Sequence, residues 1–104
     1  MDYQLKTSFF DNVINFIATI STKDSKKVAA TMDMMRNSKF ESVVIKQLKG
    51  DIKELKVKRY RFIFFIIQNT IYFVRAFIKK SNKTPKNEIE LVEKIYKLFI
   101  TTKK

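Results

Sequence analysis

The side chains in this sequence that could do chemistry are mostly basic. The 104 residues include no histidine and no cysteine, so the commonest general base at neutral pH and the softest metal ligands are missing. Any catalysis must therefore use Lys, Arg, Tyr or carboxylate groups. We expect neither a metal site nor a cofactor.

Positive charge is concentrated in the second half of the chain. Residues 1–52 carry eight basic and six acidic side chains, whereas residues 53–104 carry fourteen and four, for a total net charge of +12. This excess of positive charge in the second half of the chain predicts a polyanionic partner, namely nucleic acid, an acidic protein or an anionic membrane surface. The alternative is a solvated, lysine-rich surface without a specific partner.

Four basic residues are predicted to share one surface and form a catalytic cluster. Residues 52–59 alternate in polarity, which places Lys56 and Lys58 on the face away from the core. Arg61 opens the next predicted strand. Arg75 interrupts an apolar run in a third strand, where a charge is costly unless it reaches a cleft or a partner.

A cluster of this kind can bind and cleave RNA. Fixed cations attract phosphate and stabilise the charge that develops in a phosphorane-like transition state. A lysine among arginines can also approach a useful general-base pKa. Because the 2′-hydroxyl of RNA supplies the nucleophile, the reaction requires neither histidine nor cysteine.

Each of these positions also has a structural interpretation. Lys56 and Lys58 are the kind of side chains that an exposed sheet face leaves in solvent. Arg61 can pair with Glu54 across the sheet, and residues 62–67 read as core rather than as a platform for stacking bases.

The first half of the chain predicts two amphipathic helices. Thr7 or Ser8 is the expected N-cap of the first helix, whose apolar residues recur at helical spacing from Phe9 to Ile20. After a polar break, Asp24 or Ser25 can cap a second helix that ends at Asn37-Ser38. The two helices are expected to form a helical hairpin whose apolar faces pack against a sheet.

The second half predicts that sheet. Two strands joined by a tight Arg59-Tyr60 connection are expected first, followed by a turn at Gln68-Asn69 and a third strand. A basic loop then leads to a last helix, with Thr84 as its N-cap and Pro85 at its first position. Residues 39–49 fit either a strand or a short helical turn. The predicted elements are strands at residues 52–59, 61–67 and 70–78, a loop at residues 79–83 and a helix from residue 84 onward.

These elements predict one α+β domain over residues 1–104, with an N-terminal helical hairpin packed on a small twisted antiparallel sheet and a C-terminal helix. The start of the chain has no signal-peptide pattern. The longest apolar stretch, residues 62–77, is too short and too interrupted to span a bilayer. We therefore expect a cytoplasmic protein with no membrane partner.

Residues 77–89, FIKKSNKTPKNEI, closely resemble the motif F-x-K-K-(T/S)-x-K-T-P-x-x-E-I of the phage-derived, HigB-like branch of the RelE toxin superfamily. Residues 53–56 (KELK) and Tyr60-Arg61 are similar to further motifs of that family. The resemblance extends over about residues 8–100, the first half matching in pattern alone.

The resemblance implies a compact RelE-like fold, with an N-terminal strand here reduced to about residues 2–6, and a toxin of a type II toxin–antitoxin system. Such toxins are mRNA endonucleases that usually act on the translating ribosome. It further implies a cognate antitoxin, HigA-like with a helix-turn-helix. On this reading Lys56, Lys58, Arg61 and Arg75 are the catalytic residues, and the RNA-binding residues are Arg59, Lys79, Lys80 and Lys83.

Two other functions fit the same sequence. Relatives of the ParE type inhibit DNA gyrase by binding it, and their activity leaves RNA intact. A nucleic-acid-binding module without catalysis would bind RNA in a strongly salt-dependent way and would not be toxic.

Overall fold

The computed structural model of the chain describes residues 4–102, which form five strands and three helices. The elements in chain order are β1 (Lys6–Phe9), α1 (Asp11–Thr19), α2 (Thr22–Arg36), β2 (Val44–Lys49), β3 (Ile52–Val57), β4 (Tyr60–Ile67), β5 (Thr70–Ile78) and α3 (Lys86–Thr102).

The five strands form one mixed sheet in the order β1-β5-β4-β3-β2. Strands β2 to β5 form an antiparallel meander, as the alternating segments predicted. Strand β1, however, lies parallel to β5, so the expectation of a wholly antiparallel sheet is corrected. The parallel pairing is possible because a long stretch of chain, from α1 to β4, separates the two strands.

The N-terminal strand replaces the predicted start of the first helix. Thr7 or Ser8 is the expected cap of this helix, but both residues pair with β5 instead, opposite Ile71 and Tyr72, and α1 begins at Asp11. The ring of Phe9 stacks on that of Phe73 with 5.3 Å between the centroids. The first strand expected at residues 2–6 falls partly outside the described residues, and strand β1 starts at its last position.

Two apolar cores lie on opposite faces of the sheet. Helices α1 and α2 cover one face and helix α3 covers part of the other. Alternation along β4 supplies both cores, since Phe62 and Phe64 face the helical hairpin while Ile63 and Phe65 face α3. The prediction that this strand is covered on both sides is confirmed.

The second helix starts earlier than predicted. The Ser21 side chain accepts a hydrogen bond from the Asp24 backbone N–H at 3.1 Å and caps α2, so neither Asp24 nor Ser25 is the cap. The expected end at Asn37-Ser38 is confirmed, and Ser38 adopts a φ of 63° just after the helix.

Residues 39–49, for which the sequence fitted either a strand or a short helical turn, contain both. A 3-10 turn at Phe40–Ser42 leads into strand β2. The β3–β4 turn is formed by Lys58 and Arg59 rather than by Arg59 and Tyr60, and Lys58 has a φ of 54°. Lys58 therefore leaves the sheet before it can share a face with Lys56.

The last helix begins at Lys86. The Pro85 carbonyl accepts hydrogen bonds from the N–H groups of Glu88 and Ile89, at 3.1 and 3.3 Å, so the proline precedes the first turn instead of opening it. The Thr84 hydroxyl, predicted to cap the helix, donates to Glu54 instead. Within residues 4–102 no helix is both long enough and apolar enough to cross a membrane.

Candidate functional site

The sheet face that α3 covers is left open near the β3–β4 turn, and there it forms a cavity of about 420 Å³. Strands β3, β4 and β5 form the floor of the cavity, where Lys56 lies opposite Arg61 and Arg61 lies opposite Phe77. Phe16 of α1 and the segment after β5 complete the wall. The charged residues that line the cavity are Lys46, Glu54, Lys56, Arg61, Lys79, Lys80, Lys83 and Glu88.

Arg61 is fixed by the backbone of the β3–β4 turn. Its Nη1 donates hydrogen bonds to the carbonyls of Lys58 and Tyr60, each at 2.9 Å. Its Nε lies 3.8 Å from Oε1 of Glu54 and is buried without a hydrogen bond. The predicted Arg61–Glu54 pairing across the sheet is present, and together with the backbone hydrogen bonds it holds this guanidinium rigidly in the cavity floor.

Glu54 is a site residue that the sequence reasoning treated as a structural partner alone. It is 3% exposed and accepts a hydrogen bond from the Thr84 hydroxyl. A buried carboxylate is costly unless it is paired and hydrogen-bonded, and Arg61 and Thr84 meet that need. The signal that could have identified it is the alternation of β3, which puts Glu54 on the face of Lys56.

Two lysines of the cavity floor have no ion pair among the described residues. Lys56 projects from β3 and Lys46 from the neighbouring strand β2, where it lies opposite Glu54. Lys46 was missed because residues 39–49 fitted two structures, so its register with β3 could not be assigned.

Lys58 and Arg59 lie apart from the residues that line the cavity. The Lys58 Nζ is 2.8 Å from Oδ1 of Asp24, while the Tyr60 hydroxyl donates to Oδ2 at 2.5 Å. These hydrogen bonds, that of Lys58 above all, hold the pKa of Asp24 below its ordinary value. The Arg59 guanidinium lies 5.7 Å from the centre of the Tyr60 ring. Lys58 therefore links the β3–β4 turn to helix α2, whereas the Arg59 side chain contacts the neighbouring Tyr60.

Arg75 forms a two-point ion pair with Glu88 in the first turn of α3. The Nε–Oε1 distance is 2.7 Å and the Nη2–Oε2 distance is 3.2 Å. The hydrogen bonds that Arg75 donates to Glu88 raise the pKa of Arg75 above its ordinary value, so the guanidinium stays charged. Glu88 lines the cavity whereas Arg75 stands behind it.

The basic loop after β5 forms the rim of the cavity and is held at both ends. The Lys79 N–H donates to the Arg59 carbonyl at 2.8 Å, and Thr84 donates to Glu54 at the other end. Within the loop, the Ser81 hydroxyl donates to the Lys83 carbonyl at 3.0 Å. The predicted RNA-binding residues Lys79, Lys80 and Lys83 all line the cavity.

The electrostatics of the cavity favour an anion. Six of its lining residues are cationic and two, Glu54 and Glu88, are carboxylates. Both carboxylates are paired with arginines, so the lysines supply uncompensated positive charge in a partly enclosed site. Among residues 4–102 no group of His, Cys, Asp and Glu side chains is placed to hold a metal ion.

Comparison with known proteins gives a family match and several structural matches. The family model described as "Phage derived protein Gp49-like (DUF891)" matches residues 15–97. No curated protein sequence matches the chain.

The structural matches are toxin chains of RelE type. The archaeal RelE–RelB complex of Pyrococcus horikoshii contains a chain with a TM-score of 0.66 and 12% identity, covering 73% of this chain and 96% of that one. A chain of the RelB–RelE complex of Methanococcus jannaschii gives 0.58 and 19%, covering 67% and 87%. A chain of the RelBE2 complex of Mycobacterium tuberculosis gives 0.60 and 13%, covering 74% and 100%. The fold is therefore RelE-like.

Proposed function

The chain belongs to the phage-derived Gp49-like family, and we propose that it is the toxin of a type II toxin–antitoxin system. Its activity is the metal-independent cleavage of mRNA in the cytoplasm, with the ribosome presenting the substrate. A HigA-like antitoxin with a helix-turn-helix restrains it. The RelE-like matches support the proposal, because all three come from toxin–antitoxin complexes.

The observation that carries the proposal is the cross-strand pair of Lys56 and Arg61 on the floor of a cavity rimmed by lysines. A phosphate bound there meets one rigid guanidinium and one flexible ammonium group. The rim lysines can contact neighbouring phosphates of the same strand. Such contacts bind a nucleic-acid backbone and hold it in register without reading its sequence.

The reaction that suits these groups is transfer of phosphate within RNA. The 2′-oxygen attacks the adjacent phosphorus and the bond to the 5′-oxygen breaks, which leaves a 2′,3′-cyclic phosphate and a 5′-hydroxyl end. Arg61 and Lys56 stabilise the negative charge that builds on the phosphoryl oxygens. Pre-positioned charge of this kind acts without reorganisation at the moment of reaction.

Protons must also move, and two side chains of the cavity can move them. Glu88 accepts hydrogen bonds from Arg75 through both oxygens, whereas Glu54 accepts one from Thr84 through Oε2 and has only a 3.8 Å contact with Arg61 at Oε1. We therefore assign Oε1 of Glu54 as the oxygen that accepts the proton of the 2′-hydroxyl. Lys56, with no carboxylate paired to it in the described chain, can donate a proton to the leaving 5′-oxygen. Arg75 acts through Glu88 and is assigned a positioning role.

The test is induced expression in bacteria without the neighbouring gene, with growth followed and mRNA 5′ ends mapped. Growth arrest with new cuts inside translated regions is the expected result. Lys56→Ala should abolish the cuts, whereas Lys94→Ala removes the same charge from an exposed position on α3 outside the cavity and should retain them. Arrest with intact mRNA would contradict the nuclease proposal and favour a toxin that binds gyrase; no arrest would contradict a toxin of either kind.

A further inference from the structure

A β-bulge in strand β5 decides which of its side chains reach the cavity. The register with β4 shifts at Val74, which has no partner there, whereas Phe73 and Arg75 on either side of it are both paired. Phe73 packs in the core beneath the helical hairpin, and strict alternation would send residues 75 and 77 to that same side. The extra residue reverses this alternation. Phe77 therefore lies on the opposite face of the sheet, where it lines the cavity.

Helix α1 holds the backbone next to this bulge. Strand β1 ends opposite Phe73, and beyond that point the side-chain oxygen Oδ1 of Asn12 accepts a hydrogen bond from the N–H of Ala76 at 2.9 Å. This bond fixes the residue immediately before Phe77. Bulges are common beside active sites, where they re-aim a side chain. The position of Phe77 in the cavity is thus held by a specific contact of the fold.

The ring of Phe77 has a side that other aromatic residues leave open. The side chain is half-buried and packs against the core beneath α3. Within residues 4–102 it contacts no other aromatic ring. Phe16 in the cavity wall differs, because its ring meets those of Tyr60 and Phe62 at 5.7 and 6.0 Å. The part of Phe77 that faces the cavity can therefore receive a flat aromatic ligand.

Phe77 also lies in one row with the cations of the cavity floor. Lys56 of β3 pairs with Arg61 of β4, and Arg61 pairs with Phe77 of β5. Neighbouring strands are about 4.8 Å apart, so the ring lies one strand beyond the guanidinium. The apolar residues Ile78 and Pro85 line the cavity as well. A nucleotide has the same order of groups, because its anionic phosphate is joined through a sugar to a flat base.

The size of the cavity agrees with such a ligand. Its volume of about 420 Å³ falls within the range of about 300–1,000 Å³ that is usual for sites of small organic ligands. A phosphate held by Lys56 and Arg61 leaves the space above Phe77 available.

We propose that Phe77 forms a nucleobase subsite, in which an unpaired base of the RNA, adjacent to the phosphate held by Lys56 and Arg61, stacks on its ring. This inference rests on the proposed cleavage of RNA and adds a base contact to phosphate contacts that carry no sequence information. Every base has a π face, so stacking tolerates any sequence. It requires a base that is not stacked within a duplex. The cavity therefore selects single-stranded RNA.

A single tryptophan tests the subsite directly. The chain contains no tryptophan, so Phe77→Trp introduces a unique fluorophore and keeps an aromatic ring at this position. The ligand is a single-stranded RNA with 2′-fluoro sugars, which lacks the nucleophile and stays intact. This RNA should quench the tryptophan, whereas a sugar–phosphate chain of the same length without bases, or the same RNA as a duplex, should not. Phe9→Trp, at a ring that is 36% exposed outside the cavity, should not respond to the RNA.

Phe77→Leu tests the energetic contribution of the ring. Leucine keeps apolar bulk and removes the flat surface, so the affinity for the 2′-fluoro RNA should fall about tenfold, as expected when one base loses its aromatic partner. The affinity for the base-free chain should not change. The slope of log K against log salt concentration should also stay the same, because no phosphate contact is removed. Equal weakening for both ligands, or a shallower slope, would show damage to the phosphate site and overturn the inference.

The other outcomes separate the subsite from the nuclease. Quenching of Phe77→Trp by the base-free chain or equally by duplex RNA would overturn the inference, as would bound single-stranded RNA that leaves the fluorescence unchanged. So would an unchanged affinity of Phe77→Leu for RNA. A chain that stacks the base and leaves ordinary RNA uncut would reject cleavage alone, and one that cuts RNA without stacking would reject the subsite alone. A chain that binds no RNA would overturn both.

Discussion

Arg75 and Glu88 form a bidentate ion pair that fastens the first turn of α3 to strand β5, with N–O distances of 2.7 and 3.2 Å. Glu88 lines the cavity and Arg75 lies behind it, and both side chains are partly shielded from solvent. The ion pair orients the Glu88 carboxylate in the cavity wall and fixes the start of α3, at which the basic loop after β5 ends.

Removing either partner of this ion pair should lower stability, and the losses from the two single substitutions should not be additive. We expect Arg75→Ala and Glu88→Ala each to lower the free energy of unfolding by about 1–3 kcal/mol, since each leaves a partly buried charged partner. The double variant should cost less than the sum of the two, with a coupling energy of about 1 kcal/mol or more. Urea denaturation of the four proteins measures the cycle, and additive losses would show that the pair contributes nothing of its own.

Lys56 should be needed for cleavage and not for folding. Lys56→Ala is expected to reduce RNA cleavage by about a hundredfold, the usual loss when one group that stabilises transition-state charge is removed. Cleavage of a translated mRNA by purified protein gives the rate, and the urea midpoint checks the fold. Lys94→Ala is the control. A Lys56→Ala protein that cuts as fast as the parent would exclude the residue from catalysis.

The lysines of the rim should contribute to binding through charge alone. For single-stranded RNA each neutralised phosphate changes the slope of log K against log salt concentration by about 0.7. Lys80→Ala should therefore make the slope shallower by about that amount for RNA of any sequence. Filter binding at several salt concentrations measures it, and an unchanged slope would mean that Lys80 does not contact phosphate.

The hydrogen bond from Thr84 to Glu54 should hold the basic loop in place. Thr84→Val removes the hydroxyl while preserving shape, and we expect faster amide exchange across residues 79–83 together with slower cleavage. Thr84→Ser keeps the hydroxyl and should restore both properties. If Val and Ser behave alike, the hydrogen bond has no role in positioning the loop.

Asp24 should make the fold sensitive to acid. Its pKa in the folded chain lies below the ordinary value of 3.8 because Lys58 and Tyr60 donate hydrogen bonds to it. The resulting stabilisation is complete above the ordinary pKa and is lost as the pH falls through the folded value. Asp24→Asn should thus lose less stability than the parent between about pH 5 and pH 2, as measured by urea unfolding. Tyr60→Phe should lie between the two, and parallel curves for all three would contradict this role.

Local sequence was sufficient for much of the second half of the chain. The continuous apolar run of β4, the Gln68-Asn69 turn and the basic loop before α3 each depend on neighbours in sequence, so patterns of polarity identify them. The predicted placement of Lys56 and Arg61 on one sheet face is confirmed by their cross-strand pairing. The FIKKSNKTPKNEI block by itself indicates the family to which the chain belongs.

Tertiary structure decided what depends on distant pairing. Thr7 and Ser8 have the pattern of a helix start, yet pairing with β5, some sixty residues later, makes them a strand. Lys58 turns away to Asp24 because a tight turn, rather than the alternation of β3, sets its direction. Glu54 and Lys46 enter the cavity through the register of β2 with β3. A short sequence pattern encodes polarity and turns, whereas register and partner choice are set by contacts between residues far apart in the chain.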